Sequence, residues 1–292
     1  MARKLLVVNN PASGGRRKNQ KTLRALNSFL SSNDLEFDIQ STELNKNAWK
    51  IIEGQLDDSF TDLIIVGGDG TINEAVNGLK FNVPLTIIPA GTGNDFVKNI
   101  PVGKTLDDQL KAITEGTVRS VDLGICNDRK FINGVGIGFD GQIVEDMNGS
   151  KVPFLKGHAK YYYHVLQVLA LYKPRLFTFS LDEKTFEEPL IIMSIGNGTT
   201  FGGGFKLMPD AKIDDGLLEV CTIGELAPVK RFLNIHKLSK GSHGSLKSVE
   251  FYQAKGVYIK ENPLLYAHLD GEQIGNPPYD IKVLPKALKL RI

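Results

Sequence analysis

Cysteine is scarce in this chain of 292 residues, which contains only Cys126 and Cys221. Two cysteines so far apart form neither a disulfide framework nor the closely spaced ligand pairs of a zinc site. Long hydrophobic runs are missing as well. The run at residues 5–8 is too short for the core of a signal peptide, and no stretch is long enough to cross a bilayer. We therefore expect the protein to be cytoplasmic.

A strong excess of one charge is also missing. The 35 lysines and arginines nearly balance the 33 aspartates and glutamates, which leaves a net charge of +2 without a long basic block. This balance does not favour nucleic acid as a partner. The hydrophobic share of 41% and the charged share of 23% are ordinary for a soluble globular protein, and the length indicates about two domains.

The order of the sequence patterns predicts two different domains. Over residues 1–122 strand and helix patterns alternate, which predicts an α/β domain with a mostly parallel sheet. Over residues 123–292 turn residues separate most apolar runs, which predicts an antiparallel β-sandwich-like domain. Residues 287–292 form a last strand that fits either domain. The predicted strands are residues 4–9, 37–41, 62–66 and 85–88, then 130–135, 176–181, 190–196, 217–223, 248–259, 265–270 and 279–284, and the predicted helices are 17–33, 48–56, 71–79 and 106–115.

The turn Gly67-Gly68-Asp69-Gly70 is the most informative segment of the chain. It follows the apolar run at residues 63–66 and precedes a helical pattern, so it lies where open α/β sheets bind ligands. Glycines let backbone N–H groups approach a phosphate, and the following helix directs its positive end toward it. A carboxylate beside phosphates requires a cation between them, so Asp69 indicates Mg²⁺. The alternative is an ordinary surface turn, in which Gly and Asp are common.

Two more glycine-rich turns follow predicted strands of the same sheet, at residues 10–15 and 89–96. Because parallel strands end at one edge, the three turns are expected to converge there, which favours a nucleotide polyphosphate as ligand. A Walker motif is absent from the sequence. Residues 136–141 do match the dinucleotide pattern Gly-x-Gly-x-x-Gly, but they lie in the β-rich half, where a strand end or an inter-domain turn is the better interpretation.

Taken together, the motifs resemble those of the bacterial diacylglycerol kinase-like lipid kinases. The resemblance rests on Asn-Pro-x-Ser-Gly at 10–14, Gly-Gly-Asp-Gly-Thr at 67–71, Gly-Thr-Gly-Asn-Asp at 91–95 and Asp-Gly-Glu at 270–272. Residues 202–206 and 212–218 also look like motifs of that family. The resemblance covers essentially the whole chain, and the motifs occur in the family's order.

The resemblance implies an enzyme with two domains and an active site in the inter-domain cleft. It implies Mg²⁺ as cofactor, with a structural Mg²⁺ site in the second domain. The Lys212 carbonyl, the Asp215 side chain and the Leu217 carbonyl would hold this ion, with waters bridging toward Asp69. From the residues alone, this segment is equally well a plain β-turn, and Asp214 could replace Asp215. The residues implied to hold ATP are Asn10, Pro11, Ala12, Ser13, Gly14, Thr42, Gly67, Gly68, Asp69, Gly70, Thr71, Ile72, Asn73 and Thr92.

The resemblance also implies that Glu272 is the general base and that Asp69 is the second catalytic residue. Without the resemblance, residues 270–272 are typical of a hairpin turn. A positioned carboxylate that removes the proton of a lipid hydroxyl contributes about 10²–10⁴-fold to the rate. Asp95 is expected at the ATP site in a metal-network or loop-fixing role, although its position is equally typical of a helix N-cap.

The function implied is phosphorylation of a membrane lipid by ATP, with diacylglycerol converted to phosphatidic acid. One alternative is an NAD kinase or sugar-phosphate kinase that shares the Gly-Gly-Asp-Gly loop. Another is a non-catalytic nucleotide- or lipid-binding regulator on the same scaffold. The five histidines show no ligand spacing and are expected to be surface or core residues.

Two basic amphipathic segments, residues 151–173 and 228–240, suggest peripheral contact with the inner face of the membrane. The alternative is that each packs its apolar stripe on its own sheet and leaves its lysines in solvent. The sequence leaves open whether the protein forms a homodimer.

Overall fold

The computed structural model describes residues 3–44, 47–80, 82–149 and 158–292, and the chain divides into two compact units. The first unit comprises Met1–Leu123, Ile213–Asp215 and Leu284–Ile292. The second unit comprises Gly124–Lys212 and Gly216–Val283. Residues 287–292, which fitted either predicted domain, therefore lie in the first unit, and the short segment Ile213–Asp215 joins it from the middle of the second.

The first unit is built from strands that alternate with helices. Its elements are β1 Lys4–Asn9, α1 Arg16–Ser32, β2 Glu36–Ser41, α2 Ala48–Gln55, β3 Asp62–Gly67, α3 Asp69–Gly78, β4 Leu85–Pro89, a 3-10 helix Phe96–Asn99, α4 Leu106–Glu115 and the start of β5 Val118–Cys126. The strands pair in parallel in the order β2-β1-β3-β4. Every residue of β3 is buried, as expected for a strand covered on both faces. This confirms the predicted α/β class.

The second unit is antiparallel. Its remaining elements are β6 Arg129–Phe131, β7 Gly134–Gly138, α5 Phe139–Gly149, α6 His158–Leu171, β8 Arg175–Leu181, β9 Lys184–Gly196, β10 Leu218–Gly224, α7 Pro228–Lys240, a 3-10 helix His243–Ser245, β11 Val249–Ala254, β12 Gly256–Ile259, β13 Ala267–Leu269, β14 Glu272–Ile274 and β15 Tyr279–Arg291, whose last residues return to the first unit. Strand β9 lies centrally and pairs with β7, β8 and β10. The side chains between the sheet faces form one apolar core that includes Phe177, Met193 and Ile281. The predicted antiparallel, sandwich-like class is confirmed.

Several predicted elements differ from those observed. Helix α3 begins at Asp69 rather than Thr71, because Gly68 has extended backbone angles and its carbonyl already accepts the N–H of Ile72 at 3.1 Å. The predicted strand at residues 248–259 is two strands interrupted at Lys255, and the one at 130–135 is split into β6 and β7.

Helix α5 was not predicted. Its side chains Phe139, Ile143 and Met147 all contribute to one apolar cluster, and their spacing of four residues is the helical signal that the neighbouring glycines concealed. Of the predicted amphipathic segment at residues 151–173, residues 151–157 lie outside the described residues, and α6 accounts for most of the rest.

Candidate active site

Three glycine-rich loops of the first unit meet at the carboxyl ends of its parallel strands. Asn10 Nδ2 donates a hydrogen bond to Thr71 Oγ1 at 2.9 Å, which joins the loop after β1 to the turn after β3. The Ala90 N–H donates to the Gly67 carbonyl at 2.8 Å, which joins the turn after β3 to the loop after β4. The convergence expected from the sequence is therefore present.

The loops approach each other so closely that side chains do not fit between them. A Cβ built on Gly91 would lie 2.6 Å from the Cα of Gly68, and one built on Gly14 would lie 2.0 Å from the Ala90 carbonyl oxygen. Gly14 also has a φ of 67°, a conformation that glycine adopts without strain. These glycines are therefore required by the loop packing itself.

Asp69, the first residue of α3, joins the loop after β4 to the turn after β3. Its Oδ2 accepts the N–H of Asp95 at 3.0 Å, and its Oδ1 accepts the N–H of Phe96 at 2.9 Å. Asp69 thus caps the helix beginning at Phe96, so the Asp95 side chain does not have the N-cap role that was the alternative to its expected metal-network or loop-fixing role. The Asp95 carboxylate is buried and instead receives Lys98 Nζ at 2.6 Å.

The other residues predicted to hold ATP differ in how far they are buried. Ala12, Gly14, Gly70 and Thr92 are exposed, whereas Thr71, Ile72 and Asn73 are buried. Since the Ile72 side chain is part of the protein core, any contact of Ile72 with a ligand must come from its backbone. Thr42 follows β2, and its N–H donates to the Asn9 carbonyl at 2.8 Å, which places it beside the loop after β1.

Two helices begin at these loops without a capping side chain. Within the described residues, Gly15 and Gly68 are the N-caps of α1 and α3 and make no side-chain cap, whereas Asn47 caps α2 and Thr105 caps α4. The first N–H groups of a helix need an external acceptor. The first turn of α1 contains Arg16, Arg17 and Lys18, all exposed. This edge of the sheet therefore has the donors and the positive charge that suit an anion.

Sequence reasoning missed the polar group beneath the first loop. Asn19 of α1 is buried, and its Nδ2 donates to Asn9 Oδ1 and to the Asn10 carbonyl, both at 2.9 Å. A polar residue that shares the buried face of α1 with Leu26 and Leu30 was the available signal.

Glu272 lies in the second unit, directly after a two-residue hairpin turn. Asp270 and Gly271 have φ angles of 47° and 87°, and they connect β13 to β14, whose first residue is Glu272. The Glu272 side chain is 52% exposed, and its carboxylate forms an ion pair with Arg129 of β6. Residues 270–272 therefore do form a hairpin turn, and the same turn exposes the Glu272 carboxylate.

Asp270 fixes that turn to the neighbouring strand connection. Its carboxylate accepts three backbone N–H groups, from Ile132 at 2.8 Å and from Asn133 and Gly134 at 2.9 Å each. Because its carboxylate accepts three backbone N–H groups, Asp270 has a structural role. The first residue of the Asp-Gly-Glu motif thus holds the turn, and the third presents its carboxylate to solvent.

The predicted metal-binding residues lie in the loop before β10. Asp214 and Asp215 are both exposed, so either carboxylate suits the predicted role, and Gly216 has a φ of 76°. No cluster of three or more His, Cys, Asp or Glu side chains that could hold a metal occurs in the part of the chain that the structure describes. One carboxylate with the Lys212 and Leu217 carbonyls is nevertheless an all-oxygen donor set, which fits Mg²⁺.

Comparison with known proteins identifies the family. Residues 4–126 match the model of the diacylglycerol kinase catalytic domain, and residues 133–292 match the YegS C-terminal NAD kinase beta sandwich-like domain. A diacylglycerol kinase of Staphylococcus aureus is 30% identical over 95% of this chain and 89% of its own length. One of Staphylococcus saprophyticus is 29% identical over 95% of this chain and 92% of its own.

The chain belongs to the diacylglycerol kinase family.

Solved structures agree with that family. A diacylglycerol kinase of Bacillus anthracis superimposes with a TM-score of 0.77 at 25% identity, covering 99% of this chain and 96% of its own. An NAD kinase of Archaeoglobus fulgidus in complex with ATP has a TM-score of 0.57 at 13% identity, covering 99% and 93%, and shows the shared fold alone. The resemblance drawn from the motifs is confirmed: this diacylglycerol kinase family member is a kinase, and the family implies ATP as its phosphoryl donor.

None of the helices in the described part of the chain combines the length and the apolar character needed to span a bilayer.

Proposed function

We propose that this kinase transfers the γ-phosphoryl group of ATP to a hydroxyl of a membrane lipid, with diacylglycerol as acceptor and phosphatidic acid as product. The observation that carries the proposal is the exposed Glu272 carboxylate on a turn fastened by Asp270 and paired with Arg129. The diacylglycerol kinases named above, which align over nearly the whole chain, support the choice of acceptor.

In this proposal the three loops of the first unit hold the nucleotide. The backbone of residues 10–14 and 67–73 faces the polyphosphate, with Thr42, Thr92 and Asp95 around it. The uncapped starts of α1 and α3 support this assignment, since helix N-termini bind phosphate through free N–H groups. Asp69 holds the loop after β4 in place through two hydrogen bonds from the backbone N–H groups of that loop. The same residue is the proposed link toward the cation.

Mg²⁺ is the proposed cofactor. The Lys212 carbonyl, the Asp215 carboxylate and the Leu217 carbonyl would hold it, with Asp214 as the alternative carboxylate. A bound Mg²⁺ supplies positive charge that offsets the negative charge of the phosphates.

In the proposed chemical step Glu272 acts as general base. As the lipid hydroxyl oxygen forms its bond to the γ-phosphorus, the bond from that phosphorus to the ADP oxygen breaks, and the hydroxyl proton passes to Glu272. The Arg129 guanidinium holds the carboxylate in one orientation. Orientation matters because phosphoryl transfer depends mainly on alignment and charge stabilisation.

We also propose peripheral contact with an anionic membrane surface through α7. The exposed face of this helix presents Val229, Phe232 and Leu233, which are 69%, 40% and 66% exposed, beside Lys230. Its sequence contains five basic or histidine side chains and no acidic one. Apolar burial combined with attraction to anionic headgroups is the usual mode of interfacial binding.

The central experiment measures transfer of labelled phosphate from ATP to extracted lipid in the presence of Mg²⁺, with products identified by mass spectrometry. We expect Glu272→Gln to lower kcat by about 10²-fold or more, because an amide does not accept the proton. Glu183→Gln is the matched control, since Glu183 is an exposed glutamate in the turn after β8 of the same unit.

Wild-type rates in a folded Glu272→Gln protein would contradict the proposed base. An assay with NAD as acceptor tests the second candidate function, that of an NAD kinase. The fold shared with an NAD kinase is the reason to test it. Phosphorylated NAD without phosphorylated lipid would reverse the assignment, and nucleotide binding without turnover on either acceptor would indicate a regulator.

A further inference from the structure

The glycine-rich segment at residues 136–141, which matched a dinucleotide pattern, surrounds a pair of titratable side chains in the second unit. His268 of β13 lies opposite Gly136 of β7 in the antiparallel register. Asp140, the second residue of α5, places its Oδ2 3.5 Å from His268 Nε2. Both side chains are largely buried, at 10% and 16% exposure. The pair therefore lies under the hairpin rather than on the surface.

Gly136 explains why the pair fits against β7. A Cβ at this position would lie 2.0 Å from Asp140 Oδ2 and 2.5 Å from His268 Nε2. The glycine pattern is thus not a nucleotide fingerprint. At this position it provides the space in which an aspartate and a histidine meet.

The other ring nitrogen of His268 connects the pair to the proposed base. His268 Nδ1 accepts the N–H of Gly271 at 3.2 Å, and Gly271 directly precedes Glu272. A nitrogen that accepts a hydrogen bond does not carry a proton, so the ring proton of the neutral imidazole lies on Nε2, which faces Asp140. Asp140 is fixed in turn, because its Oδ1 accepts the N–H of Gly141 at 3.0 Å.

We infer that His268, oriented by Asp140, is a positioning residue for Glu272. It holds the Gly271 peptide and so fixes the direction in which the chain enters β14 and presents the Glu272 carboxylate. Arg129 holds the carboxylate itself, while His268 holds the backbone from which it extends. The inference rests on the proposed role of Glu272. A displacement of a reacting group by about 1 Å can cost about 10²-fold in rate, which makes such backbone control important.

Kinetics of three variants test the inference. In His268→Asn the side-chain oxygen lies near the position of Nδ1 and can still accept the Gly271 N–H, whereas the longer side chain of His268→Gln places its amide near Nε2. We expect His268→Gln to lower kcat by about 10²-fold with an unchanged KM for ATP, and His268→Asn to recover most of kcat. The kcat of Asp140→Asn is expected to lie between those of the two His268 variants, because the ring loses the partner that selects its tautomer.

Thermal melting of each variant separates positioning from a general loss of structure. Equal losses of kcat and of stability in His268→Gln and His268→Asn, without rescue, would overturn the inference. Wild-type kcat in His268→Gln, while Glu272→Gln is inactive, would also overturn it and leave the proposed base intact. An active Glu272→Gln protein would contradict both the proposed base and the inference about His268.

A second measurement does not depend on activity. Nitrogen NMR spectra of the wild-type protein labelled at histidine report which ring nitrogen of His268 carries the proton. We expect the proton on Nε2 and none on Nδ1, because Nδ1 accepts the Gly271 N–H, and we expect a change in this signal in Asp140→Asn. A proton on Nδ1 in the wild-type protein would overturn the inference.

Discussion

Asp69 combines an observed structural role with a predicted chemical one. The sequence placed it beside phosphates and predicted a link to Mg²⁺. In the structure each of its oxygens accepts one backbone N–H of the next loop. A carboxylate oxygen has further acceptor capacity, so this role and the proposed link are compatible. Replacing Asp69 therefore disturbs the loop as well as the charge, which is why Glu272 gives the cleaner mutational test.

Residues that meet across long sequence distances could not be predicted. Arg129 pairs with Glu272, and Asp140 approaches His268, yet each pair joins segments whose register depends on the folded sheet. Local signals, by contrast, were sufficient for the glycine loops, because a turn between strand and helix is encoded by adjacent residues. The sequence therefore predicted the loop residues but not the side chains that orient Glu272.

His243 provides a pH-dependent prediction for stability. The side chain is fully buried beside Cys221, its Nε2 lies 3.1 Å from the Leu207 carbonyl, and burial lowers the pKa of His243 from its ordinary value of 6.5. As the pH falls through 6.5, the unfolded chain binds a proton that the folded protein does not. The free energy of unfolding therefore decreases toward acid, until the pH falls below the lowered pKa of the folded protein.

One bound proton limits this decrease to about 1.4 kcal/mol per pH unit from this one group. Urea denaturation of the wild type and of His243→Gln over the same pH range measures it. The glutamine variant can still donate to the Leu207 carbonyl but does not titrate, so its stability should decrease less. His236, an exposed histidine of α7, provides the control His236→Gln, which should behave as wild type. Parallel curves for the wild type and His243→Gln would contradict the prediction.

Among the helices, α7 departs from the usual amphipathic arrangement at one inward-facing position and at several exposed ones. Its buried side chain is Arg231, whose Nε donates to the Leu226 carbonyl at 2.7 Å and whose Nη1 donates to the carbonyls of Leu169 and Tyr172 at 3.1 and 2.7 Å. The guanidinium thus satisfies carbonyls at the end of α6. Burial lowers the pKa of Arg231, although the group remains a cation because its ordinary value is so high.

This arrangement changes the interpretation of the two amphipathic segments. The sequence offered packing on the sheet or contact with a membrane as alternatives. In α7 a charged residue faces inward and apolar residues face outward, while Ile235 and Leu238 line an apolar pocket against the sheet. Periodicity alone could not reveal this, because the carbonyls that hold Arg231 come from other elements of the chain.

The exposed apolar side chains of α7 give a prediction about membranes. We expect the double variant Phe232→Ala and Leu233→Ala to bind anionic vesicles about tenfold or more weakly, since each removed side chain loses part of the roughly 1.5–3 kcal/mol gained by full burial. Co-sedimentation with vesicles rich in anionic lipid, at low and high salt, measures this loss. Leu176→Ala is the matched control, because Leu176 is a 51% exposed leucine on β8. Wild-type binding by the double variant would contradict docking through α7.

At the scale of the whole molecule, the alternation of strands and helices was enough to predict the α/β class of the first unit, and the clustered turns were enough to predict the antiparallel class of the second. The course of the chain between them was harder. Ile213–Asp215 lies in the first unit, where the Ile213 carbonyl accepts the Asp122 N–H at 2.6 Å. No periodic pattern encodes so short a segment, since it contacts residues that are far away in sequence.

The end of β15 shows how the last residues stabilise the first unit. Leu288 and Leu290 are buried, and Leu290 pairs with Leu85 of β4 in parallel register. Arg291 and Arg3 both bind the buried Asp62 at the start of β3, with nitrogen–oxygen distances of 2.8 and 2.9 Å. The first unit therefore requires residues from both ends of the chain.

We expect Leu290→Ala to lower the free energy of unfolding by about 2–5 kcal/mol, the usual cost of removing a fully buried leucine side chain. Because Leu290 lies beside β4, hydrogen exchange should accelerate first at the backbone N–H groups of residues 85–88 and later in the second unit. The matched control is again Leu176→Ala, which removes the same atoms from an exposed position. An unchanged unfolding transition in Leu290→Ala, or equal acceleration of exchange in both units, would show that the last strand does not stabilise the first unit in this way.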